Sequence, residues 1–266
     1  MKNIPVISVV IPAYNAENFI AEAIESVLCQ SYKDFELLVV NDCSTDKTRV
    51  VVERFALADK RVCLINLSTN KGAPAAPRNI GVQRARGRWI AFLDADDIWH
   101  PYKLQRQISL LDKSGARFCS TQMIDFVDAN QLLLSDARPD EYIWVSFLSQ
   151  LIKSKTPTSS VIVEKSLIER FPFNESISYK AREDLDCWLH CHEEIGRSVK
   201  ISRQMIGYRI SPGQISGRKL SMFKRHLNVL WNYRLKSGRT LQASALLFTI
   251  SHFVLSIYYR FIKKSL

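Results

Sequence analysis

The chain has 266 residues, 47% of them apolar, with only 9 Gly and 9 Pro. That composition describes a packed globular protein and excludes disordered, collagen-like and repeat architectures. The formal net charge of +11 is unevenly placed: residues 195–266 hold 14 basic residues and no acidic one, leaving 23 basic against 26 acidic residues before them. The body is thus slightly acidic, which argues against a nucleic-acid cleft, and the positive excess belongs to the tail.

Residues 7–11 read as a buried strand, and residues 16–30 as a helix with Asn15 as its N-cap. Residues 35–40 form a second strand, 42–46 a polar loop, and 47–58 a second helix with Val51, Phe55 and Ala58 on one face. Strands at 62–67 and 89–93 follow, separated by a helix over about 76–85, and a further helix covers 100–114. This alternation predicts a Rossmann-like, mainly parallel central sheet with helices on both faces, an α/β class. Six cysteines (Cys29, Cys43, Cys63, Cys119, Cys187, Cys191) lack a framework spacing and read as reduced thiols. The start, MKNIPVISVVIPAYN, lacks the long apolar run and cleavage site of a secretory signal, so the expected compartment is the cytoplasm.

Ligands of such sheets sit beyond the carboxyl ends of the strands. There the chain places PAYN (12–15), NDCSTD (41–46), Lys71–Gly72 and DADD (94–97). Asp94 and Asp96 straddle Ala95, with Asp97 next; carboxylates this close repel unless a cation lies between them, and paired hard oxygens suit Mg²⁺ or Mn²⁺ bridging a diphosphate. Capping of the next helix would need one acid rather than three. A dinucleotide-binding dehydrogenase would need a glycine-rich turn after the first strand, and PAYNAE has no glycine. The Cys187–His192 segment holds two cysteines four apart, but Trp188 and Leu189 mark it as a packed helix rather than a zinc site.

Four stretches in order, VISVVIPAYNAENFIAEAIESVLCQSYKDFELLVVNDCSTDKT, NKGAPAAPRNIGVQRARGRWIAFLDADDIW, TSSVIVEKSLIERFPFNESI and REDLDCWLHCHEEIG with GYRISPGQIS, together resemble the family 2 glycosyltransferases. These are inverting enzymes of the GT-A nucleotide-sugar fold, and the resemblance runs over about residues 5–216. It implies a catalytic domain over 1–216, with a nucleotide-sugar half to about residue 115 and an acceptor half over 116–216. Position by position it implies that Pro12 and Tyr14 touch the base and ribose, Asp42 reads the base edge and Arg78 sits near the nucleotide. Lys71 is a lesser candidate for that last role. Asp94 and Asp96 match the DxD metal motif, with Asp94 also on the donor side. Glu183 and Asp184 match the ED motif, Asp184 as general base and Glu183 on the acceptor side; read without the resemblance, both are first-turn acids that suit a helix dipole. Asn41 and Cys43 depart from the family, which often has an acid and a glycine there.

The implied reaction is single displacement on a nucleotide-sugar, a UDP-sugar by preference, passing a hexose or N-acetylhexosamine to a saccharide acceptor with inversion to a β-linkage. Relatives of this size build O-antigen or capsule on lipid-diphosphate carriers, which implies a lipid-linked acceptor in lipopolysaccharide or capsular synthesis. Beyond the resemblance, residues 217–239 carry seven Lys or Arg among Leu220, Phe223, Leu227, Leu230 and Tyr233 at helical spacing. Residues 241–259 hold no formal charge but place Thr249, His252, Ser256 and then Arg260 on a narrow polar stripe, with Lys263 and Lys264 closing the chain. The 217–266 tail therefore reads as a basic amphipathic helix and an apolar helix, suited to an anionic membrane surface. The competing reading packs it back on the catalytic domain.

Overall fold

The computed structural model describes residues 4–129, 132, 141–154, 156–210 and 219–258. The first half follows the predicted alternation: β1 (Ile7–Ala13), α1 (Ile20–Leu28), β2 (Phe35–Asn41), α2 (Thr48–Ala58), β3 (Val62–Asn66), α3 (Ala75–Arg84), β4 (Trp89–Phe92), the short β5 (Ile98–Trp99) and α4 (Lys103–Ser114). The second half adds β6 (Phe118–Phe126), β7 (Tyr142–Ser146), α5 (Phe147–Ile152), a 3₁₀ turn (Thr158–Ser160), β8 (Ile162–Glu164) and α6 (Lys165–Arg170). It closes with α7 (Glu183–Ile195), β9 (Arg197–Arg209), α8 (Lys219–Asn232) and α9 (Gln242–Ile257). One sheet runs β3-β2-β1-β4-β8-β6-β9-β5, with β7 also on β9.

The sheet is parallel from β3 to β4, as the sequence predicts, and mixed beyond it. β8 enters antiparallel between β4 and β6, while β6 and β9 pair parallel. β1 explains the helices on both faces. Its residues alternate, so Ile7, Val9 and Ile11 meet α1, α2 and α4 on one side while Val10 meets α3 on the other. Phe92, Trp188 and Phe173 fill that second side with edge-on and tilted rings. Gly81 lets α3 approach closely, because a Cβ there would collide with Val10.

Two expectations are corrected. α1 starts at Ile20 rather than 16, and Asn15 is no N-cap: it sits in the loop at φ +47°, and its Oδ1 accepts the Thr45 amide at 2.9 Å. The tail helices pack on the catalytic domain. Val229, Leu230, Tyr233 and Ala245 share a core with Leu151, Leu185 and Leu189. Thr249 and His252 of the polar stripe face inward, while Leu246, Leu247, Ile250, Val254 and Ile257 are exposed. Among the described residues no helix is long and apolar enough to cross a membrane. Residues 211–218, with the end of the GYRISPGQIS stretch, and Tyr259, Arg260, Lys263 and Lys264 lie outside the described residues. All six cysteines are free thiols, as expected.

Candidate active site

Parallel register brings the strand ends together: Ala13 pairs with Asn41 and Val10 with Phe92, so the loops after β1, β2 and β4 open on one edge. A cavity of about 840 Å³ lies there, lined by Pro12, Tyr14, Asp42, Arg78, Asp94, Asp96, Glu183 and Asp184 among others. Apart from Lys71, the lesser candidate, every residue assigned to the site from sequence therefore borders one space, of a size suited to a small-molecule ligand.

At one end Tyr14 exposes its ring beside the buried Asp42. The Asp42 carboxylate accepts the Lys71 amide at 2.9 and 3.1 Å, and the Asp42 carbonyl accepts from Asn70 Nδ2 at 3.0 Å. Burial pushes its carboxyl above the usual range, against the lowering pull of the Lys71 amide and charge. Lys71 thus contributes its backbone, while its ammonium lies at 3.4 Å from Thr69 Oγ1. The capping role in this loop falls to Asp46, which accepts the amides of Thr48 at 2.9 Å and Glu17 at 3.0 Å. Asp42 is left for the cavity. Asn41 bridges Asn66 and the Ser44 amide, and Cys43 stands at φ +57°, a conformation that favours glycine.

At the other end Arg78 is the connecting group. It is 4% exposed, its Nη1 donates to Glu183 Oε1 at 2.8 Å and its Nη2 to Asp94 Oδ1 at 2.6 Å. The DxD and ED acids, 89 positions apart in sequence from Asp94 to Glu183, are so tied by one guanidinium. Asp184 turns into the cavity, with Oδ1 accepting the Leu185 amide at 2.8 Å and Oδ2 accepting from Thr158 Oγ1 at 3.3 Å. Burial, then the Asp94 charge, pushes Asp96 up to about 6.

The third acid of DADD is a correction to the sequence reading, which found no structural need for it. Asp97 is buried, accepting from Ser159 Oγ at 2.6 Å and from the Arg209 amide at 3.1 Å. It ties β4 to the 3₁₀ turn and to β9, and none of the three acids caps α4. Sequence reasoning also missed Thr158, Asn70, Arg182 and, from the tail, Met222 and His252, which line the cavity. Only Arg182, beside the ED pair, carried any sequence signal. Among the described residues, the non-glycine positions with positive φ are Asn15, Cys43 and Ala181, all in loops, and Asn15 and Ala181 line the cavity.

The model of the Glycosyl transferase family 2 matches residues 8–175. The chain belongs to that family. It is 32% identical over 271 aligned positions to an uncharacterized glycosyltransferase of Haemophilus influenzae, covering 98% of each chain. It is 33% identical over 232 positions to WfgD of Escherichia coli, a UDP-Glc:alpha-D-GlcNAc-diphosphoundecaprenol beta-1,3-glucosyltransferase, covering 85% of this chain and 86% of that one. The crystal structure of S. aureus TarS 1-349 with UDP-GlcNAc superposes with a TM-score of 0.72 at 23% identity, over 93% of this chain and 72% of that one. The fold is that of the GT-A glycosyltransferases.

Proposed function

We propose that this glycosyltransferase moves a hexose, glucose in the first instance, from a UDP-sugar to a saccharide on a lipid diphosphate, inverting the anomeric centre, in O-antigen or capsule synthesis. The observation that carries the reading is the Asp94–Arg78–Glu183 bridge, which sets the DxD acids and Asp184 around one cavity whose far end holds Tyr14 and Asp42. The chemistry printed for WfgD supplies the donor and acceptor classes.

Tyr14 offers a ring face for the base, Pro12 packs beside it, and Asp42 offers a carboxylate to a pyrimidine N–H. Asp94 and Asp96 fit a divalent ion. Arg78 takes only Oδ1 of Asp94, and burial together with the Asp94 charge raises the Asp96 carboxyl, a repulsion that a dication would relieve. Two carboxylates completed by substrate phosphates is an arrangement that suits Mg²⁺, with Mn²⁺ the alternative. Bound there, the ion would supply charge neutralisation for the departing diphosphate. Asp184 takes the proton of the acceptor hydroxyl as its oxygen bonds to the anomeric carbon; the bond from that carbon to the β-phosphate oxygen breaks, and UDP leaves. Arg78 holds Glu183 and Asp94 in place and moderates their negative charge.

The exposed apolar face of α9, beside a tail rich in Lys and Arg, supports peripheral association with the inner face of the cytoplasmic membrane. The experiment is transfer from UDP-glucose, with Mg²⁺ or Mn²⁺, to N-acetylglucosamine α-linked to an alkyl diphosphate. A glycosylated acceptor by mass spectrometry is the expected result. Donor hydrolysis without transfer to this or any diphosphate-linked sugar would contradict the acceptor class.

A further inference from the structure

One part of the cavity wall carries none of the residues assigned to the site from sequence. It is built by Lys180 and Arg182 at the entry to α7, by Ser154, and by Met222 and His252 of the tail helices. Arg182 is the unusual member. Its Nε is buried without a hydrogen-bond partner, and among the described residues no carboxylate lies within ion-pair distance of its guanidinium. Arg78, which lines the same cavity, by contrast satisfies two carboxylates. Burial weighs against the Arg182 charge and the nearby Asp184 and Glu183 offset it only in part, so the guanidinium stays below its ordinary value; a charge partly withdrawn from water without a hydrogen-bonded partner is costly. Such a charge persists where a ligand completes it, and the planar fork of guanidinium matches phosphate oxygens.

The neighbours of Arg182 point the same way. The Lys180 ammonium has no ion pair among the described residues, while its carbonyl accepts from Arg225 of α8, which anchors the segment. His226 and His252 stack at 4.4 Å behind Arg182. Burial, each imidazole's cationic surroundings and Arg182 itself hold both rings neutral, so neither competes with Arg182 as a cation nor offers it a counter-charge. Ala181 between the two basic residues adopts φ +64°, a conformation that costs about 1–2 kcal/mol for a residue with a Cβ. It keeps both basic residues at the cavity.

We propose that Arg182, with Lys180, forms an acceptor-side diphosphate subsite, distinct from the place of the donor diphosphate at Asp94 and Asp96. The location decides between the two phosphate sources. Arg182 lines the cavity together with His252 of α9, whose exposed Leu247, Ile250 and Val254 give a lipid chain leaving that subsite an apolar surface. This rests on the reading of the acceptor as a lipid diphosphate, but it is tested without any acceptor sugar.

The probe is octyl diphosphate, titrated calorimetrically into the full-length protein already saturated with UDP and Mg²⁺, so that the donor site is filled. Wild-type protein should bind it. Arg182→Gln should weaken that binding at least tenfold, Arg182→Lys should restore part of it, and UDP affinity should stay within about threefold in both. The melting temperature of Arg182→Gln should equal or exceed that of wild type, because no partner is lost. Failure of the wild type to bind, unchanged binding in Arg182→Gln, or a tenfold loss of UDP affinity would each overturn the proposal, the last by making Arg182 a donor clamp. A marked fall in melting temperature in both variants would also overturn it, as a structural arginine. Arg182-dependent probe binding with no transfer of glucose would leave the subsite standing and remove the proposed sugar chemistry; transfer with no Arg182-dependent binding would do the reverse.

Discussion

Replacing Arg78 by Met keeps much of the side-chain volume and removes the charge that joins Glu183 and Asp94. Glu183 is 3% exposed and its Oε2 already lacks a partner, so loss of the 2.8 Å pair leaves a buried carboxylate with nothing opposite it. Breaking a buried pair from one side costs about 3–5 kcal/mol. The Asp94 side chain is 32% exposed, so water screens most of its share and the cost belongs to Glu183. In a domain of this size each kcal/mol moves the melting temperature by about 2–4 °C, which gives a drop of about 6–20 °C near pH 7.5. Burial already raises the Glu183 carboxyl and Arg78 pulls it down, so the variant raises it further. A raised folded-state value means the penalty is absent at low pH and grows as pH rises through it, so the deficit should shrink between pH 8 and pH 5. Calorimetry across that range, with Arg78→Met and Arg78→Met/Glu183→Gln, checks both points, and the double variant should recover most of the loss. A deficit below about 1 kcal/mol, or no recovery on adding Glu183→Gln, would refute the bridge as the organising contact of the site.

Other predictions are shorter. Asp96 binds its proton near pH 6, so Mg²⁺ affinity and activity should fall as pH drops below about 6, the acid limb moving lower as metal is raised; an activity indifferent to EDTA would contradict the metal role. Asp184→Asn should bind UDP nearly as wild type in calorimetry yet transfer about 10²–10⁴-fold more slowly, and parallel losses of binding and turnover would point to a structural role. Leu247→Asp with Ile250→Asp, on the exposed face of α9, should abolish sedimentation with anionic liposomes and leave the melting temperature within a few degrees; unchanged sedimentation would remove the membrane surface from the account. Deleting residues 217–266 is a poor substitute, because it would uncover Leu185 and Leu189 beneath α8.

The sequence was most legible where chemistry and periodicity are local. The β–α alternation to residue 114, the acids at the strand ends and the ED pair were all readable, and Asp42, Asp94, Asp96, Glu183 and Asp184 border the cavity. What was not readable depends on partners distant in sequence. Asp97 looked like one more member of the acidic cluster with no structural reason, because its partners, Ser159 and Arg209, lie 62 and 112 positions away. The mixed pairing of β6, β8 and β9 has no local signature, since register is set by neighbours rather than by the strand itself. The polar stripe of α9 was correctly seen but its direction was not: Thr249 bonds back to Ala245 at 2.8 Å and His252 accepts the Ser154 amide at 3.2 Å, so the stripe faces protein and the apolar side is outermost. Arg182 stands next to the ED pair in the sequence with nothing local to set it apart, and its partnerless, buried Nε emerges only from the fold.

The central claim is a single displacement at the anomeric carbon with Asp184 as base and Asp94 and Asp96 on the donor side. Its most direct test is the anomeric configuration of the first-formed product, read by proton NMR coupling during transfer from α-configured UDP-glucose to the diphosphate-linked N-acetylglucosamine. A β-glycoside, absent with Asp184→Asn, is the predicted result; an α-glycoside would contradict the mechanism.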